Sequence, residues 1–117
     1  MGKLVLVAEE EPGVAQVIKR VLQSEDYEIH IVHDGQAALD CWSEHDYQLL
    51  ITNYGMPKID GCQLVQKLRS KGITVPIIMM SGGNITNLEA VACGASDFLA
   101  KPFSFEDLRT KVKQFLP

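Results

Sequence analysis

Four places in the chain carry residues able to do chemistry together: Glu9, Glu10 and Glu11 near the start, Asn53 before the middle, Ser81, and the dipeptide Lys101-Pro102. Two adjacent acids, an Asx residue, a hydroxyl and a lysine are the side chains needed to bind a hard cation and hold a phosphate beside it. A simpler reading competes: acids at a helix start are favoured by its dipole, and Lys101 pairs with one of them. Which reading applies depends on whether the fold brings the four places to one point.

The elements that must do this alternate. Runs rich in Val, Ile and Leu are followed by amphipathic patterns, the mark of parallel strands connected by crossing helices. Strands are expected from Lys3 to Ala8, Tyr27 to Val32, Gln48 to Thr52 and Val75 to Met80, with a short one around Asp97 to Ala100. The first, third and fourth are almost wholly apolar, as central strands covered on both faces must be. The first helix starts at Pro12 and presents Val14, Ile18, Val21 and Leu22 on one side. The second follows Asp34-Gly35 with Ala38, Leu39 and Trp42; the third follows Asp60-Gly61 with Leu64, Val65 and Leu68. Thr86 with Glu89 and Ser104 with Asp107 have capping-box spacing. Gly94 would close the fourth helix, and Leu108, Val112 and Phe115 face inward from the fifth. The expected fold is therefore α/β, a (βα)5 doubly wound sheet of five parallel strands forming one domain over residues 1–117. Such a sheet binds its ligands outside the C-terminal ends of its strands, and the four places lie just past strands one, three, four and five.

Composition narrows the function classes. A chain of 117 residues with 46% hydrophobic content has material for one core. A net charge of −4, with eleven Lys and Arg scattered along the chain, argues against direct nucleic-acid contact. The longest apolar runs fall short of a membrane span and the N-terminus has no secretory pattern, so the expectation is a cytoplasmic protein without membrane contact. Cys41, Cys62 and Cys93 are odd in number and lack Cys-x-x-Cys spacing, which reads as reduced packing residues. His30, His33 and His45 have no metal-ligand spacing, and Trp42 reads as a packing residue.

Taken in order, Val7-Ala8-Glu9-Glu10-Glu11-Pro12, Asp34-Gly35, Asn53-Tyr54-Gly55-Met56-Pro57, Asp60-Gly61, Ser81-Gly82, Gly94-Ala95 and Lys101-Pro102-Phe103 resemble the motifs of response-regulator receiver domains across the whole chain. The resemblance implies a flavodoxin-like strand order 2-1-3-4-5 and a role in two-component phosphorelay signalling. Partners would be a sensor kinase, a phosphotransfer protein or an output domain. It places Glu9 and Glu10 at the Mg2+-holding acidic pair and the Gly55 carbonyl at the backbone metal ligand. It also places Ser81 at the hydroxyl that meets the phosphoryl group, Lys101 at its pairing lysine, Phe98 at the aromatic switch, and a cis bond before Pro102.

The phosphoacceptor position, however, holds Asn53. A carboxamide cannot form the acyl phosphate that an aspartate carboxylate forms. It keeps an oxygen able to ligate a cation but brings no charge. Glu in place of Asp in the acidic pair moves each carboxylate roughly 1.5 Å further from the backbone, and Mg2+ tolerates such displacement poorly. From the extra methylene, Glu10 is expected to reach Lys101 and form an internal ion pair. The segment from Ser81 to Gly94, with Gly82-Gly83, is shorter than is usual in the family, which alters the surface around the fourth helix.

Three functions remain open. One is a receiver-like interaction domain that works without aspartyl phosphorylation. Another is an engineered Asp-to-Asn variant of an ordinary Mg2+-dependent receiver. The last is a small-ligand binder or enzyme in the same crevice, disfavoured because three glutamates stand where a nucleotide phosphate loop would.

Overall fold

The computed structural model describes residues 3–117, so residues 1 and 2 of the expected 1–117 span lie outside the described residues. Five strands and five helices alternate strictly: β1 (Lys3–Ala8), α1 (Pro12–Gln23), β2 (Tyr27–Val32), α2 (Gly35–Trp42), β3 (Leu49–Asn53), α3 (Gly61–Ser70), β4 (Ile77–Ser81), α4 (Asn87–Ala92), β5 (Asp97–Ala100) and α5 (Phe105–Phe115). All strand pairings are parallel and the sheet order is β2-β1-β3-β4-β5, as the resemblance implied.

The apolar strands are the central ones. β3 and β4 are buried along their whole length because helices cover both faces of the sheet. On one face Ile18 and Leu22 of α1 and Leu108 and Val112 of α5 pack against Val5, Val7, Leu49 and Ile51. On the other, Trp42 of α2 and Leu64, Val65 and Leu68 of α3 meet Leu6, Leu50, Ile77 and Met79. Trp42 is the packing residue its position predicted.

β3 and β4 each differ from the sequence reading at both ends, β3 also starting one residue later at Leu49, and the shift bears on the site. β3 runs one residue past Thr52 to include Asn53, and β4 starts at Ile77 and ends with Ser81. Pro76 explains the later start: it has no backbone N–H to contribute to the ladder, and only its carbonyl is used, by Leu50 N at 3.1 Å. At the far end Asn53 is in register with Met80, and Ser81 with Ala100. Asn53 and Ser81 are thus held by strand pairing rather than by the loops that follow.

The helix starts are fixed by short polar side chains. Thr86 with Glu89 and Ser104 with Asp107 form the expected capping boxes. Asp60 with Gln63 forms a third that the Ser/Thr-x-x-acid pattern does not reach, since Asp and Gln supply the same oxygen and donor chemistry. Gly94, with φ +115°, terminates α4 in the left-handed conformation that favours glycine.

One sequence expectation is overturned here. Cys62 and Cys93 are not separate reduced packing residues: their sulfurs are bonded, across Cα atoms 5.5 Å apart. Thirty-one residues separate them in sequence, and only the packing of α3 against α4 brings them together. Cys41 alone is free, half-buried on α2, and burial pushes its thiol up.

Candidate functional site

β1 ends in Ala8, and the chain leaves the sheet through Glu9. Its N–H still donates to Val32 O at 3.0 Å, continuing the β1–β2 ladder by one residue. On the other side the Glu9 carbonyl accepts from His33 Nδ1 at 2.9 Å. With its backbone pinned from both sides, Glu9 keeps the strand alternation and turns its side chain inward, where it is fully buried. Glu10, the next residue, points outward and is exposed.

The buried carboxylate has two partners. Oε1 accepts from Lys101 Nζ at 2.7 Å, in an ion pair whose Glu9 side chain is 0% and Lys101 side chain 23% accessible. Oε2 accepts from the backbone N–H of Glu11, the residue that caps α1, at 3.1 Å. The expected pairing of Glu10 with Lys101 is therefore corrected to Glu9. The extra methylene does reach the lysine, but strand alternation decides which of the two glutamates is able to use it. Lys101 approaches from the end of β5, where its N–H donates to Ser81 O at 2.8 Å. The Lys101–Pro102 peptide bond is cis.

Asn53 is buried at the end of β3 and its Nδ2 donates to the Gly55 carbonyl at 2.8 Å. This amide donation engages the one backbone oxygen that the resemblance would give to a metal. Ser81, also buried, donates through Oγ to Asn84 Oδ1 and accepts from Gly83 N at 3.3 Å. Glu9, Asn53, Ser81 and Lys101 thus stand at the C-terminal ends of four adjacent strands, β1, β3, β4 and β5. Phe98 lies further down β5, half-buried against the core face that holds Trp42.

Tested against this geometry, the donor set does not suit Mg2+. The ion needs an octahedron of oxygen donors at close to ideal distances. Here Gly55 O is capped by an amide, the Glu9 carboxylate carries an ammonium and a backbone N–H, and Glu10 is turned to solvent. No buried side-chain nitrogen or oxygen among the described residues lacks a partner. Nor do three His, Cys, Asp or Glu side chains gather there in a metal-binding group.

Two contributors escaped the sequence reading. Asn84 supplies the partner of Ser81, and its Nδ2 borders Gly55, 3.6 Å from where a Cβ would stand. The Ser81-Gly82-Gly83-Asn84 run signals a turn but not the direction in which Asn84 faces. Gly61 is the second: a Cβ there would meet Asn53 O at 2.5 Å and Tyr54 Cα at 2.8 Å, because the start of α3 lies directly on the loop behind Asn53. Gly61 N also donates to Tyr54 O at 2.6 Å. Backbone cannot yield as a flexible side chain does, so Gly61→Ala should cost about 2 kcal/mol and lower the thermal midpoint by about 8 °C. A melt monitored by circular dichroism checks this; an unchanged midpoint would mean that α3 shifts freely.

Comparison with known proteins agrees with this architecture. The family model for the response regulator receiver domain matches residues 5–113. The transcriptional regulatory protein SrrA of Staphylococcus aureus is 32% identical over 117 residues, 99% of this chain and 48% of that protein. The chain therefore spans about half the length of the curated relatives it matches. Among solved structures, the Francisella response regulator 1452 receiver domain aligns with a TM-score of 0.92 at 30% identity, covering 97% of this chain and 96% of that one. The chemotaxis response regulator CheY4 of Vibrio cholerae aligns with a TM-score of 0.90 at 26% identity, covering 98% and 99%.

Proposed function

Because this chain belongs to the response-regulator receiver family of two-component signalling, we propose that it is a receiver that works without aspartyl phosphorylation, with Asn53 at the phosphoacceptor position. Its signalling then rests on protein–protein contact in the cytoplasm, with a sensor kinase, a phosphotransfer protein or an output domain as partner. It does no catalysis of its own and touches neither nucleic acid nor membrane. Glu9, Glu10 and Gly55 stand at the metal positions, Ser81 and Lys101 at the phosphate-pairing positions, and Phe98 at the aromatic switch.

The observation that carries this reading is the amide of Asn53 on the Gly55 carbonyl at 2.8 Å, beside a buried Glu9–Lys101 ion pair at 2.7 Å. A receiver ordinarily presents there a free carboxylate nucleophile and a cation to neutralise the incoming phosphoryl oxygens. Here a neutral amide stands at the nucleophile position, and its N–H2 is directed at the oxygen that a cation would need. Lys101 already neutralises Glu9, so the pocket has an internal cation in place. The electrostatic state that Mg2+ and phosphate alter in a switching receiver is constant in this one.

The test is direct. Incubated with acetyl phosphate and Mg2+, the chain should show no gain of phosphoryl mass by intact mass spectrometry, and Mg2+ should produce no saturable heat in titration calorimetry. A phosphorylated parent would overturn both the reading and the assignment of Asn53 as the nucleophile position.

A further inference from the structure

The bond between Cys62 and Cys93 has no part in the strand-end site, and its placement is informative. Cys62 is the second residue of α3 and Cys93 is the C-cap of α4. Their Cα separation of 5.5 Å is at the preferred distance for a native disulfide. Both residues are half-buried at the surface between the two helices, within reach of a small thiol reagent.

The helix tied down is the least anchored of the five. α4 has six residues, too few to hold their own helical bonds in water without tertiary support. Ala90 is its one buried residue, while Leu88 is 83% and Val91 51% exposed. Ala90 and, before the N-cap, Ile85 pack into the core, and a polar anchor holds the C-terminal end. There the Arg69 guanidinium of α3 donates to Gly94 O at 3.0 Å and, on the other side, to Ile73 O and Val75 O at 3.0 and 2.7 Å. The disulfide adds a covalent link at that same end.

We propose that Cys62 and Cys93 are a dithiol–disulfide pair exchanged by small-molecule disulfides of the glutathione class, so that oxidation ties α4 to the first turn of α3 and reduction frees it. In a reducing compartment, disulfides that form are mostly transient or sensing rather than permanent. The inference uses the cytoplasmic placement proposed above but is independent of what Asn53 does.

The local fields assign the order of steps. Cys62 lies in the first turn of α3, where unpaired backbone N–H groups favour negative charge; Cys93 lies at the end of α4, where carbonyls disfavour it and its sulfur sits 3.1 Å from Ala90 O. Cys62 thiolate attacks one sulfur of the glutathione disulfide, forming a mixed disulfide and expelling one glutathione thiolate. Cys93 then loses its proton to solvent and attacks the Cys62 sulfur, expelling the second. Two protein thiols are oxidised by two electrons, and one small-molecule disulfide is reduced to two thiols. Cys41 stays outside this exchange, on another helix and with its sulfur turned toward Ala38 O and the Tyr47 hydroxyl.

The whole chain, equilibrated without oxygen in buffers from fully reduced to fully oxidised glutathione and then alkylated with a maleimide, tests this by intact mass. Three labels are expected at the reduced end and one at the oxidised end. In the oxidised form the α4 amides should exchange hydrogen at least about tenfold more slowly, and the thermal midpoint should rise by about 10 °C. Cys62→Ser and Cys93→Ser variants should each lose the redox dependence while remaining folded by circular dichroism. Three outcomes would overturn the proposal: a bond that survives excess reduced glutathione, thiols that stop at the mixed disulfide or never react, or α4 exchange that is the same in both forms.

Discussion

Asn53→Asp should give a protein that gains phosphoryl mass from acetyl phosphate in the presence of Mg2+, where the parent gains none. The substitution is nearly isosteric, so the strand register that holds position 53 against Met80 is untouched. It makes two changes at once. It removes the N–H2 donor now on Gly55 O, leaving that carbonyl free, and it adds a full negative charge to a buried position. A unit charge about 4 Å from another is worth about 4 kcal/mol at an effective dielectric of 20. Even after a large desolvation loss, Mg2+ should bind the variant at least about tenfold more tightly than the parent. The variant should also be less stable than the parent without Mg2+, because a second carboxylate now lies near Glu9, and should regain stability as Mg2+ is added. Titration calorimetry and intact mass read the two effects separately. A variant that binds Mg2+ but takes no phosphoryl group would place the block at Lys101, held by Glu9. A variant that does neither would show that Glu9 and Glu10 disable the pocket by themselves.

Lys101→Met should be the most destabilising single change at the site. It leaves the Glu9 carboxylate, fully buried, with the Glu11 N–H as its one remaining partner. Breaking a buried pair from one side costs about 3–5 kcal/mol, because the surviving charge has lost its solvent and its counter-ion. The lysine side chain is 23% exposed, which lets water reach the gap and places the expected loss at the lower limit, about 3 kcal/mol or about 12 °C in thermal midpoint. The double variant Glu9→Gln/Lys101→Met should recover most of this, since removing both charges removes the desolvation cost with the attraction. Urea denaturation of the parent, both single variants and the double variant closes the cycle. Additive losses would mean that the two side chains do not couple, and the account of the site as an internally neutralised pocket would fall.

Much of this molecule could be read along the chain. The alternation of apolar runs with one-sided helices carries a parallel sheet, because a strand covered on both faces has to be apolar throughout and a helix covered on one has to be amphipathic. β1, β3 and β4 were legible as central strands for that reason, and their central place in the sheet follows. The two Ser/Thr capping boxes and the Gly94 stop were legible too, since each is settled by contacts within a few residues. Even the four strand ends that build the site follow from where the apolar runs stop.

What the sequence could not decide are the questions of direction and of long-range contact. Whether Glu9 or Glu10 faces Lys101 depends on how many residues keep the β1 alternation before α1 begins. That is set by the Glu9 N–H bond to Val32 O at the end of β2 and by His33, just past that strand, on the Glu9 carbonyl. The backbone of Asn53 and Tyr54 lies so close to the start of α3 that position 61 requires a glycine, a contact between two elements that neither segment shows alone. Cys62 and Cys93, separated by 31 residues, meet through the packing of two helices, which no spacing rule encodes. Local chemistry thus determined the elements and the residue types at their ends. The direction of Glu9 toward Lys101 and the meeting of Cys62 with Cys93 were decided by tertiary contacts, because their partners are distant in the chain.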